Sequence, residues 1–258
     1  MAFRNSVRRV CATALLASSL LSVGASHAAA VLIHSYDFAN AVTDSVGGQN
    51  GSLLNGASVL GHALVTDGVN DYVEFATKIV PTAGSFSVAM WVNQAGRSGN
   101  FMELISQGFS GGPGFYLGHD PSGVIRLTDT YVNTGVPFGA LNVWMQFTLS
   151  VDTVSGTELY RDGNLIFSAA GSLDTTVGGD PTRLAAQFGG FGEYFNGAID
   201  DLQIYTGALS AAQAQALFDA GRSTANAVPE PSTLALLGLA LLGLRAGRRT
   251  ARRCSASS

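Results

Sequence analysis

Met145, Phe147, Leu149 and Val151 alternate with Gln146, Thr148 and Ser150, the period-two pattern of a strand with one apolar and one polar face. Similar segments recur along the middle of the chain. Phe86-Ser87-Val88-Ala89-Met90-Trp91-Val92 is a β-rich run bounded by Gly84 and Gly96, and Ala198 to Tyr205 reads as the last strand. Glu158 to Phe167 holds two runs around Asp162-Gly163, a pair that tolerates the positive φ angles of a tight hairpin. Helix signals are scarce. Ser210 and Gln213 form a capping-box pattern ahead of one short helix ending near Gly221. Many strands, glycine-rich turns and a single helix point to an all-β, two-sheet antiparallel sandwich and away from a βαβ fold.

The two ends stand outside this pattern. Arg4, Arg8 and Arg9 precede the apolar run Val10 to Val23, and the small-residue patterns Ser26-His27-Ala28 and Ala28-Ala29-Ala30 follow it. That order is the one found in secretory signal peptides, so residues 1–28 are expected to be removed on export. At the other end, Val228-Pro229-Glu230-Pro231 leads into the apolar stretch Leu234 to Leu244, followed by five arginines. A helix of that length reaches about 17 Å, short of a bilayer core of about 30 Å. The arginines suit the cytoplasmic side of a membrane. The sequence thus divides into a leader (1–28), a sandwich domain (29–221), a linker (222–227) and a tail (228–253) with a short apolar helix.

Eight of the fourteen basic residues lie in these ends, against one of the eighteen acidic ones, Glu230. Residues 29–228 therefore keep six bases and seventeen acids, a net charge of −11. Such a domain repels nucleic acid, whose binding rests largely on Lys and Arg contacts to phosphate. Both cysteines, Cys11 and Cys254, fall in the ends, so no disulfide holds the domain.

The tail resembles the PEP-CTERM sorting signal. This implies an exosortase-type processing enzyme as partner, transient insertion of the tail in the inner membrane, and a place in the envelope or extracellular matrix of a Gram-negative bacterium. A second resemblance lies in an ordered series: Tyr36-Asp37-Phe38, Asp44 to Leu53, Asp67 to Val73, Phe86 to Val92, Trp144 to Phe147, Leu159 to Gly163 and Phe195 to Tyr205. It is similar to laminin-G-like domains of the concanavalin A-like jelly-roll type. That likeness implies first and last strands close together, carbohydrate or protein ligands, and in many members a structural calcium.

Catalytic patterns are absent from the sequence. A glycosidase needs two carboxyl groups flanking the scissile bond, yet Glu103, Glu158 and Glu193 stand alone, and adjacent Asp200 and Asp201 should face opposite ways on a strand. Gly108-Phe109-Ser110-Gly111-Gly112 matches the letters of a nucleophile elbow, but Pro113 and Gly114 follow where a helix should begin. His34, His62 and His119 lack the spacing of a zinc site. Calcium favours clustered oxygens. Asp44 and Asn50 in one loop, with Asp37 and Asp200 brought near by neighbouring terminal strands, are the expected ligands, and Asp67 to Asp71 is a second candidate. Among the rings in glycine-rich segments, Phe115, Tyr116 and Tyr194 are the expected sugar contacts. The expected function is a non-enzymatic module for polysaccharide; the alternative is a structural matrix protein without a specific sugar site.

Overall fold

The computed structural model describes residues 29–109, 114–127, 132–171, 173 and 178–223. The leader, the sorting tail, most of the linker and the Ser110 motif lie outside the described residues. The first half comprises β1 (Val31–Tyr36), β2 (Gly51–Leu54), β3 (Ser58–Val59), β4 (Leu64–Asp67), β5 (Tyr72–Phe75), β6 (Phe86–Gln94), β7 (Met102–Gly108) and β8 (Gly114–His119). The second half adds β9 (Val124–Leu127), β10 (Val132–Pro137), β11 (Trp144–Asp152), β12 (Gly156–Arg161), β13 (Asn164–Ala169), β14 (Arg183–Leu184), β15 (Asn196–Thr206) and helix α1 (Ala211–Asp219).

These strands form two antiparallel sheets. The eight-stranded sheet runs β13-β12-β11-β6-β15-β4-β3, with β1 also paired to β15. The seven-stranded sheet runs β10-β9-β8-β7-β14-β5-β2. The first and last strands are neighbours, as the family likeness implied, with Val31 opposite Thr206 and Tyr36 opposite Leu202. The expected hairpin is present: β12 and β13 are joined by Asp162 at φ 52° and Gly163 at φ 73°. Met145, Phe147, Leu149 and Val151 face inward opposite Val92, Met90, Val88 and Phe86. Across the core they meet Leu104, Ile105, Phe115, Leu117, Ile125 and Leu127 of the second sheet. One contiguous apolar cluster thus fills the sandwich, and its burial is the main force holding a cysteine-free domain.

The polar face of β11 is not solvent-exposed, contrary to the simplest reading of its alternation. Gln146, Thr148 and Ser150 are all buried. The chain leaving β15 folds back over them. Ser150 Oγ donates to Leu209 O at 2.8 Å, Leu209 N donates to Ser87 Oγ at 2.8 Å, and Ser87 Oγ donates to Gly207 O at 3.1 Å. Helix α1 follows, with the full capping box of Ser210 and Gln213, and Phe218 stacks on Trp91 with centroids 5.8 Å apart.

β15 carries a bulge between Asp200 and Gln203, where Asp201 takes φ 45°. An extra residue in a strand breaks the simple alternation of faces. Asp200 and Asp201, expected on opposite faces, therefore bind the same segment. Arg222 Nη1 donates to Asp200 Oδ2 at 2.6 Å, and Ser223 N donates to Asp201 Oδ2 at 2.5 Å. The Arg222 guanidinium also lies 4.3 Å from the Trp144 ring centroid.

Candidate functional site

The outer face of the seven-stranded sheet follows from strand parity. Ile105, Leu184, Phe115, Leu117, Ile125 and Leu127 point into the core. Glu74, Arg183, Ser106, Tyr116, Gly118 and Arg126, related by direct cross-strand pairing, share the opposite face. Glu103, opposite Gly118, joins them. The segment from Ala186 to Phe195 crosses this face: Ser106 Oγ donates to Ala186 O at 2.8 Å, and Arg183 Nη1 donates to Gln187 O at 3.3 Å. Gly189, Gly190 and Gly192 all adopt positive φ there, a backbone path that side-chain-bearing residues rarely follow.

Under this loop lies a charged cluster. Arg126 Nη2 donates to both Glu103 and Glu193, so one nitrogen bridges two carboxyl groups. The guanidinium sits between two rings, 4.0 Å from the Phe101 centroid and 4.4 Å from that of Tyr116. Gly118 makes the space, since a Cβ there would fall 2.2 Å from Glu103 Oε2 and from Met102 O. Burial pushes the Glu103 carboxyl well above the usual carboxylate range; Arg126 opposes this, and the charge of Glu193 reinforces it. Sequence reading left Glu103 and Glu193 as isolated acids, and the fold brings them together.

Beside the cluster is an aromatic rim. Phe109 stacks on buried Phe188 with centroids 5.2 Å apart and 13° between planes, and Phe191 meets Phe109 edge-on at 5.1 Å. Phe191 is 60% exposed and Phe109 40%. Tyr194 lies 6.3 Å from Tyr72, over which the Arg183 guanidinium sits at 4.8 Å while Arg183 Nε donates to Glu74 at 2.8 Å.

The expected sugar contacts need correction. Phe115 is in the core, edge-on to Phe86 at 5.6 Å, and offers no face to solvent. Tyr116 is on the outer face but only 2% exposed, covered by Arg126 and Phe188. Tyr194 is half-buried beside Tyr72. Phe109 and Phe191, passed over in favour of these three, are the accessible rings. Alternation could have placed Phe115 inward with Leu117; nothing in the sequence gives the exposure of Phe191.

The four residues expected around calcium do not form one group. Asp44 and Asn50 do meet, Asp44 N donating to Asn50 Oδ1 at 2.9 Å. The Asp44 carboxylate, however, accepts from Ser35 N at 3.0 Å, Val46 N at 3.1 Å and Gln49 N at 3.0 Å, and pairs with His34 Nδ1 at 2.7 Å. Burial alone would raise its pKa, but the bonds from His34 and the loop amides outweigh burial and hold it below the usual range. Asp37 accepts from Ala39 N at 3.0 Å, and Asp200 is paired with Arg222. Asp67 and Asp71 close their own turn, accepting from Val69 N at 2.8 Å and Asp67 N at 3.1 Å respectively. Among the described residues no three His, Cys, Asp or Glu side chains gather as a metal site. Each of these side chains closes its own loop or pairs with a cation.

Residues 67–215, more than half of the chain, match the concanavalin A-like lectin/glucanases superfamily, in its laminin G branch. The chain belongs to this superfamily. Residues 227–253 match the PEP-CTERM protein-sorting motif. This concanavalin A-like chain is therefore an exported protein of the Gram-negative envelope or matrix, with an exosortase as its processing enzyme. No curated protein matches it. Among solved structures it is similar to domain 4 of AbnA, a GH43 extracellular arabinanase from Geobacillus stearothermophilus, in complex with arabinotriose. The TM-score is 0.60 at 20% identity, over 73% of this chain and 98% of that one. The receptor-binding domain of botulinum neurotoxin D gives 0.50 at 17% identity, over 73% of this chain and 52% of that one. A Trypanosoma rangeli sialidase gives 0.56 at 14% identity, over 72% and 32%. At these identities the likeness concerns the fold.

Proposed function

We propose that the concanavalin A-like domain is a carbohydrate-binding module that holds neutral glycan at the envelope or in the matrix without cleaving it, and that its tail inserts in the inner membrane only until it is processed. The carrying observation is the exposed pair Phe109 and Phe191, backed by Phe188 on the outer face of the seven-stranded sheet. Flat apolar rings beside polar groups suit the apolar faces of sugars. The similar arabinanase domain in complex with arabinotriose supports a saccharide as the ligand class.

Neutral glycan is favoured by the charge balance of the domain. Arg126, Arg183 and Arg222 are paired with carboxylates. Lys78 bonds Gly178 O, Arg97 bonds Gly139 O, and Arg161 bonds Pro137 O. Three of the six bases are thus neutralised by carboxylates, and the net charge of −11 over residues 29–228 repels an acidic polysaccharide. Hydrolysis is disfavoured by the arrangement of Glu103 and Glu193 on this face. Retaining glycosidases hold their carboxyl groups about 5 Å apart with the sugar between them, whereas Glu103 and Glu193 share one arginine nitrogen beneath a loop.

Calorimetric titration of the mature protein with neutral arabino- and xylo-oligosaccharides and with uronate oligosaccharides tests this reading. Binding of a neutral oligosaccharide, weakened roughly tenfold or more by Phe191→Ala, is expected. Binding confined to uronates would overturn the neutral assignment, and release of shorter sugars would overturn the non-enzymatic one. Absence of binding to any of them would leave a structural matrix protein as the better reading.

A further inference from the structure

Between helix α1 and the outer face of the eight-stranded sheet lies a cavity of about 180 Å³. The sheet register builds its floor. Gln146 on β11 stands opposite Trp91 on β6, and Gln203 on β15 stands opposite Ala89 on β6. Directly paired residues share a face, so these four side chains line the cavity together. Asp201 joins them from the bulge in β15, where its φ of 45° breaks the alternation of the strand. Leu217 of α1 closes the other side, with Ala220, Gly221 and Ser223 of the segment that follows. Ala89, small and central on the floor, leaves the room.

The polar groups of this wall are not used up. Gln146 is only 2% exposed; its Nε2 donates to Thr148 Oγ1 at 2.8 Å, and its Oε1 is buried with no hydrogen-bond partner among the described residues. Turning the amide over only exchanges its ends, because Thr148 Oγ1 can donate as well as accept, and Nε2 is then the end left over. Buried polar groups in folded proteins nearly always find a partner. Gln203 Oε1 accepts from the Tyr205 hydroxyl at 2.6 Å, so its amide nitrogen is the end left for a further bond. Asp201 Oδ2 accepts from Ser223 N, which ties the segment after α1 over the cavity.

This set fixes what fits. At liquid density the cavity has room for about six water molecules, the size of one small sugar residue rather than of a chain. A hydroxyl group both donates and accepts, so it meets the Gln146 amide in either orientation, and the Gln203 amide and the Asp201 carboxylate as well. Asp201 is the one charged side chain among the described lining residues, so an anion is repelled. Ala89, Trp91 and Leu217 offer apolar surface to C–H groups.

We propose that this cavity is a second saccharide site, taking one neutral sugar residue, free or at the end of a chain, with a hydroxyl group hydrogen-bonded to the Gln146 amide. It lies on the sheet opposite to the rim of Phe109 and Phe191 and shares no residue with it, so it goes beyond the binding reading given above and does not depend on it. The sugar sits between the sheet and the segment held by Asp201, and its binding fastens α1 in place.

Thermal unfolding of the mature protein with arabinose, xylose, galactose or glucose, and with glucuronate as the charged control, tests this. With a Kd on the order of 1 mM, a neutral sugar at ten times Kd should raise Tm by about 3 to 6 °C, and glucuronate at the same concentration should not. Gln146→Leu, which removes the amide, and Ala89→Leu, which fills the cavity from its floor, should each abolish the response, whereas Phe191→Ala should keep it. The two cavity variants also control for the general stabilisation that dissolved sugars give to any folded protein. In NMR of the wild type, the Trp91 indole N–H and the Gln146 side-chain amide should shift on adding the sugar. Unmoved signals and an unchanged midpoint with all four neutral sugars would mean that water alone fills the cavity, and would overturn the proposal. So would a response kept in both cavity variants, or one lost in Phe191→Ala, which would leave the ring pair as the sugar site and the reading of the previous section intact. A larger response to glucuronate than to any neutral sugar would overturn the ligand class.

Discussion

The two outer faces of the sandwich are both covered by chain from elsewhere, but by different chemistry. Over the eight-stranded sheet, Ser87, Ser150 and Leu209 exchange hydrogen bonds, Trp91 stacks on Phe218, and α1 is capped at its start. Over the seven-stranded sheet a glycine-rich loop is pinned by Arg126 between two carboxyl groups, and its rings remain at the surface. The first cover is closed mainly by neutral contacts and packing, with one ion pair, Arg222 to Asp200, beyond its helix. The second is closed by charge and leaves Phe191 open.

The largest effect expected from breaking this contrast is at Arg126. Arg126→Met should destabilise the domain by about 3 to 5 kcal/mol, because it leaves the buried Glu103 and its neighbour Glu193 without a cation. Urea unfolding measures it, and a loss under 1 kcal/mol would mean that the second face is held by the loop backbone alone. On the first face Phe218→Ala should cost less, about 1 to 2 kcal/mol, since only one half-buried ring contact is lost. If it cost as much as Arg126→Met, the two covers would not differ in kind.

A third expected outcome concerns pH and sharpens the contrast within β15. Burial, with Asp201 alongside, pushes the Asp200 carboxyl up to about 7 despite Arg222. Its contribution to stability is full below the ordinary carboxylate pKa and is lost as pH rises through about 7. Thermal midpoints of wild type should therefore decline between pH 5 and 8, and Asp200→Asn should flatten that part of the curve. A curve of the same slope in the variant would assign the effect elsewhere, with Glu103 the next group to examine. The smallest expected change in stability is at the open ring: Phe191→Ala should stay within about 0.5 kcal/mol of wild type by urea unfolding, while weakening sugar binding as described above.

The fold was legible because its signals are local. Alternation from Met145 to Val151, the Asp162-Gly163 turn and the Ser210–Gln213 box each depend on residues a few positions apart, and each is found as read. The site was not, because its parts are distant in the chain. Glu103 and Glu193 meet only after β14 and the loop beyond it are laid against β7. Asp200 and Asp201 share a partner because of a positive φ at Asp201, which the sequence Asp-Asp does not announce. Tyr116 is screened by Phe188, seventy-two positions away, so its burial is a tertiary fact even though its strand face could be deduced.

The fastening of Arg222 and Ser223 to β15 also sets a tether length. The sorting motif starts at residue 227, four peptide steps beyond Ser223. Four steps reach at most about 14 Å. The start of the motif is therefore confined to within that distance of Ser223, beside the eight-stranded sheet.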